Sequence, residues 1–305
     1  MPSIRHLAAA LALLGASAAH AAGTPPTTAE VIERSTARDW RTPDPDNVLY
    51  LDLPAGRVVI ELAPQFAPAH AANIRQLAKQ DYWDGLAILR SQDNYVVQWG
   101  DPNAGQDTAR TLGDAAKTLP AEFDSADGTL AFTALPEADS YAPQAGWVDG
   151  FPAGRDAKTG RTWLAHCYGA VGAGRDMAAD SSNGTELYVV IGHAPRHLDR
   201  NITVVGRVLQ GMELLSVLPR GTGALGFYET AAERVPIARI RLASQLPQSE
   251  RVALEVFRTD TAAFEQLVEA RRNRREDWFI DPVGRIELCN VPIPVRAARG
   301  PAASK

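Results

Sequence analysis

The chain has 305 residues, 45% of them hydrophobic and 22% charged, with a formal net charge of −5. That composition is ordinary for a globular protein, and the mildly acidic balance lacks the basic footprint that nucleic acid or an anionic membrane demands. Six histidines and two cysteines leave little material for metal chemistry.

Arg5 and His6 form a short polar head, residues 7–19 an apolar run, and Ala19-His20-Ala21 an A-x-A cleavage pattern. Together they predict a secretory signal peptide over residues 1–21, with the mature chain starting near Ala22. The run is too short to span a bilayer, which takes about 20 residues, and no later stretch is long and apolar enough. Export would put Cys167 and Cys289 where a disulfide persists. Their even number permits pairing but does not establish it, and two buried thiols are the alternative. Neither has the C-x-x-C spacing of a redox site.

Residues 22–47 read as an N-terminal arm, Pro-rich at both ends, with a short helix between Ala29 and Trp40. Residues 48–53 alternate, and residues 57–62 follow a Pro54-Ala55-Gly56 turn, which predicts a hairpin. Pro68 opens a helix whose Ile74 and Leu77 face the core. Short strands are predicted at 86–90, 95–98, 129–133, 169–173, 187–191, 203–209 and 236–243, with a short helix over 211–218. Many short strands with few helices imply a mainly β, closed barrel rather than a doubly wound sheet. Residues 103–165, rich in Gly, Pro, Asp and Ser, read as a long loop insertion. Residues 244–305 read as an α+β extension, with a strand at 252–257, a helix over 260–275 and a strand at 285–289. Arg271, Arg272, Arg274 and Arg275 at that helix's end complement its dipole. No internal repeat is present.

Some motifs are decoys. Gly221-Thr-Gly223-Ala-Leu-Gly226 fits the dinucleotide fingerprint but follows a helix rather than a strand. No G-x-S-x-G elbow occurs, and His166-Cys167, His193 and His197 lack metal-site spacing.

The informative pattern is Arg90, then Tyr95-Val96-Val97-Gln98-Trp99-Gly100-Asp101, then Glu186-Leu187-Tyr188, then Leu198-Asp199 and Val205-Gly206-Arg207-Val208 through Gly211. With Arg57-Val-Val-Ile-Glu-Leu, Pro64, Pro68, Asn73, Leu77, Tyr82-Trp-Asp-Gly-Leu and Gly169 to Arg175, it resembles the cyclophilin family over about residues 48–243, interrupted by the insertion. The resemblance implies a closed eight-stranded antiparallel barrel with two capping helices, and peptidyl-prolyl cis-trans isomerase activity. It implies Arg90 as the catalytic arginine and Gln98 as the residue that holds the substrate backbone. Tyr95, Val96, Tyr188 and Leu198 would line the proline pocket, with Glu186 and His197 on the groove rim and the Gly174-Arg175 backbone pairing with the peptide. No cofactor or metal is implied. The expected partners are proline-containing unfolded polypeptides, with neither nucleic acid nor a membrane span, and the expected location is the bacterial periplasm. The sequence defines no oligomeric state.

These residue types suit the chemistry. Rotation about a peptide C–N bond meets a barrier of about 18–20 kcal/mol, and no bond breaks, so neither nucleophile nor metal is required. The protein must bind the twisted amide better than either planar form. Twisting localises a lone pair on the proline nitrogen, and a fixed guanidinium aimed there stabilises only that state. The chain departs from the family's habit in having Ile88-Leu89 before the arginine, Trp99 after the glutamine, Glu186, His197, Ile202, a small Val96 and tyrosines at 95 and 188. Those departures reshape the groove and leave a low-activity peptide-binding chaperone or scaffold as the alternative.

Overall fold

Alternation along the first hairpin sets the architecture. In the computed structural model, which describes residues 25–299, Val48–Leu53 pairs with Gly56–Leu62 around Pro54-Ala55. Gly56 takes a φ of 145° there, a conformation that glycine adopts at no steric cost. Leu49, Leu51, Leu53, Val58, Ile60 and Leu62 enter one core, while Val48, Tyr50 and Val59 on the opposite face enter another. A strand pair buried on both faces is thus a shared wall. The expected signal peptide lies outside the described residues.

The main sheet is antiparallel throughout and has nine strands. From edge to edge they are Val235–Pro236, Ala87–Ser91, Val96–Gly100, Leu187–Val190, Ala170–Ala173, Val204–Gln210, Gly56–Leu62, Val48–Leu53 and Arg239–Leu242. This corrects the expected count of eight. The run predicted as one strand over 236–243 breaks at Ile237-Ala238 into two, which sit on opposite edges of a curled sheet. The Ile237 N–H donates to the Leu86 carbonyl at 2.8 Å and the Ala238 N–H to the Asp52 carbonyl at 2.9 Å, so the link touches both edges. Inside the curl lie Trp83, Val97, Trp99, Leu187, Val189 and Val205. The helix Pro68–Lys79 lays Ala71, Ile74, Leu77 and Ala78 on this core. The second expected cap is only the five-residue helix Met212–Ser216, which buries Leu215.

The insertion is more ordered than its composition implies. Thr133–Ala134, Gln144–Val148, Phe151–Asp156 and Arg161–Leu164 form a four-stranded antiparallel sheet. Its central hairpin turns at Asp149-Gly150, both at positive φ (47° and 80°), the Asp-Gly signature of a two-residue turn. The strand expected at 129–133 shrinks to Thr133–Ala134, because residues 127–130 form an Asp127-centred turn instead.

Arm and extension also depart from expectation. The arm helix, Thr28–Arg34, carries a Thr27/Glu30 capping box and stops at Ser35 rather than reaching Trp40. Trp40–Arg41 then pairs with Leu254–Phe257, which pairs with Val295–Ala297. The extension helix is Ala262–Arg272. The strand expected at 285–289 is absent: Leu288–Asn290 is a single 3-10 turn, because Val295–Ala297 already occupies the free side of Leu254–Phe257. Cys289 on that turn is disulfide-bonded to Cys167. Val31 and Trp40 of the arm, Leu135 and Trp147 of the insertion, and Phe257, Phe264 and Leu267 of the extension share one core with Tyr50 and Val59. Trp147 meets Phe264 edge-on at 4.9 Å, and Trp40 meets Phe257 at 4.8 Å, adding about 0.5–1.5 kcal/mol per pair beyond burial. No helix among the described residues is long and apolar enough to cross a membrane.

Candidate active site

A β-bulge aims the key side chain. Ile88 pairs with Trp99, but the register shifts so that Arg90 pairs with Gln98. Ile88 and Trp99 point into the curl, and the extra residue, Leu89, turns Arg90 to the outer face, as bulges next to active sites commonly do. Gln98 pairs with Tyr188 in turn, and Tyr188 with Gly172. Directly opposed residues in antiparallel strands share a face. Arg90, Gln98, Tyr188 and Gly172 therefore form one row across four strands on the outside of the sheet.

Polar contacts fix the row. Arg90 Nη1 donates to Gln98 Oε1 at 3.0 Å, its Nε donates to the Leu225 carbonyl at 2.7 Å, and its Nη2 donates to Gln92 Oε1. Its guanidinium lies 5.4 Å from the Tyr95 ring centre and 5.2 Å from that of Phe227. Partial burial lowers the Arg90 pKa, against the pull of Tyr95 and Glu186 toward the charged form. Gln98 Nε2 donates to Glu186 Oε1 at 2.6 Å. Burial pushes the Glu186 carboxyl above its usual range, the Gln98 hydrogen bond opposes that rise, and Asp176 adds to it.

The apolar side of the row is Val96, 3% exposed, and Tyr188, 5% exposed, clustered with Phe66, Val190 and Val204 and with Val148, Phe151 and Leu164 of the insertion sheet. Tyr95 is half-buried at the margin of this cluster. His197 and Leu198 sit on the 3-10 turn Arg196–Leu198, the former exposed and the latter half-buried. The Gly174 N–H donates to the Glu186 carbonyl at 2.8 Å. The Arg175 side chain folds back onto the carbonyls of Asn201, Asp176 and Met177.

Sequence reasoning missed Gln92, Leu225 and Phe227. The glycine-rich stretch that mimicked a nucleotide motif supplies Leu225, and Phe227 directly follows it. Gly221 N–H donates to the Ser91 carbonyl at 2.9 Å, and Gly226 leaves no room for a Cβ against Gln92. Three glycines in six residues signalled a tight loop, but nothing local tied that loop to Arg90. His166 was missed as well. It is fully buried between Tyr188 and Asp199.

The curled antiparallel sheet agrees with the comparisons. The profile described as "Cyclophilin type peptidyl-prolyl cis-trans isomerase/CLD" matches residues 48–242. This chain belongs to that family of isomerase enzymes. It is 28% identical over 188 residues to a probable peptidyl-prolyl cis-trans isomerase of Brucella suis, covering 59% of this chain and 76% of that one. It is 23% identical over 210 residues to the peptidyl-prolyl cis-trans isomerase-like 1 protein of Bos taurus, covering 68% and 94%. Among solved structures, cyclophilin AquaCyp293 from Hirschia baltica superposes with a TM-score of 0.63 at 25% identity, covering 86% of this chain and 95% of that one.

Proposed function

We propose that the protein accelerates X-Pro rotation in unfolded exported polypeptides, with Arg90 stabilising the twisted amide. The observation that carries this reading is the Arg90–Gln98–Tyr188 row. The guanidinium is held on three sides by Gln98, Leu225 and Gln92, so its direction is set before substrate arrives. Gln98 would hold the peptide backbone, and Tyr95, Val96, Tyr188 and Leu198 would receive the proline ring. Glu186 and His197 would form the rim. Donors fixed in advance cost no reorganisation when charge builds on the proline nitrogen.

Export is part of the reading. The N-terminal signal pattern supports it, and so does the Cys167–Cys289 bond, since disulfides persist in oxidising compartments such as the periplasm. N-terminal sequencing of protein recovered from the periplasmic fraction tests it. A start near Ala22 is expected, and an intact Met1 would count against it.

The alternative is a low-activity peptide-binding chaperone or scaffold, favoured by how little of Val96 and Tyr188 is exposed under the insertion sheet. A protease-coupled assay on an Ala-Xaa-Pro-Phe peptide separates the two. Arg90→Ala is expected to lose at least tenfold in kcat/KM, about 1.4 kcal/mol. Client binding without wild-type turnover would establish the alternative.

A further inference from the structure

Tyr188 is held from behind by a buried chain of charged and polar groups that begins in the insertion. Its hydroxyl lies 2.8 Å from His166 Nε2, with the two rings nearly parallel at 7°. His166 is fully buried. Its Nδ1 and its backbone N–H both lie 2.9 Å from Asp199 Oδ1. Arg196 Nε donates to Asp199 Oδ2 at 2.5 Å, and its two terminal nitrogens grip Asp139 at 3.0 and 3.1 Å. An ionised carboxylate only accepts, so Nδ1 carries a proton; in the neutral imidazole Nε2 then accepts from the Tyr188 hydroxyl. On the paired strand, a Cβ at Gly172 would fall 2.2 Å from the Tyr188 phenol. The ring therefore has a glycine floor and a single hydroxyl tether.

We propose that His166 is a positioning residue for the isomerase site, fixing the Tyr188 ring as a wall of the proline pocket. The proposal rests on the reading that Tyr188 lines that pocket. A hydroxyl on this buried wall needs a partner, because an unsatisfied buried donor is costly, and His166 supplies it. Asp199 orients the imidazole, and Arg196 with Asp139 anchors Asp199 to the insertion.

Steady-state isomerase kinetics of the purified protein test this through His166→Phe, Tyr188→Phe, the double variant and Arg90→Ala. His166→Phe should raise KM at least fivefold with kcat within twofold, since the ring shapes the pocket without touching the rotating amide. Tyr188→Phe should do the same, and the double variant should be no worse than Tyr188→Phe alone, because both act through one hydroxyl. Additive losses, a fall in kcat at constant KM, or unchanged kinetics in His166→Phe would overturn the proposal. If His166→Phe does not fold, as judged by circular dichroism, Tyr188→Phe decides alone: unchanged KM refutes the tether. Loss of activity in Arg90→Ala with none in the other variants removes only the His166 proposal. An inactive wild type removes the isomerase reading and this one with it.

Discussion

Gln98 is held between unlike neighbours. It accepts from a cation and donates to a carboxylate, and that fixes which way its amide faces. The cost falls on Glu186. Unfolded, this carboxyl titrates near the ordinary glutamate value of 4.5; folded, burial holds it higher. Between those two values the native protein keeps a proton that the unfolded chain has lost, so stability falls as pH rises through that window and the loss is complete above it. Glu186→Gln removes the titration while keeping an oxygen for Gln98. Its melting temperature should exceed wild type near pH 7, with the gap closing toward about pH 4; a gap of equal size at both would exonerate the carboxyl. At this scale the sequence revealed only part of the site. Arg90, Gln98 and Tyr188 stand in recognisable local patterns. Leu225 lies 135 residues from its partner Arg90 and Asp199 lies 33 from His166, and no window of sequence carries such contacts.

Elements were legible where periodicity was strong. The hairpin Val48–Leu53/Gly56–Leu62 and the helix Pro68–Lys79 follow from alternation, a turn glycine and a leading proline. The bulge at Leu89 was not legible, since it depends on how two strands register. Asp149-Gly150 was a readable turn signal between two strands, hidden by the polar composition around it. The extension's last strand was misplaced because Ile286 and Leu288 alternate as a strand would, yet the 3-10 turn they approach is fastened at Cys289. That disulfide closes a separation of 122 residues. Cys289→Ser should lower stability by about 2–5 kcal/mol. Thermal unfolding of wild type with and without a reductant should give a matching shift; a much smaller one would mean that packing of Leu288, Val291 and Ile293 carries the contact instead.

For the whole molecule, the second core binds arm, insertion and extension to the outer face of the main sheet. Tyr50 belongs to it, and its hydroxyl accepts from the Val252 N–H of the extension at 2.9 Å. A chain ending at Ala243 would lack Phe257, Phe264 and Leu267 and expose Val48, Tyr50 and Trp147. It is expected to bind the dye ANS strongly, and the intact protein to unfold in one thermal transition. Weak dye binding by the shortened chain would show that the main sheet stands by itself. The two-residue link at Ile237-Ala238 has a kinetic consequence. Asp52 waits for a partner encoded almost two hundred positions later, so the loop-closure entropy is met near the end of assembly. Refolding followed by tryptophan fluorescence should therefore run in the millisecond-to-second range, and during that interval both rims of the sheet stay open to strands of other chains.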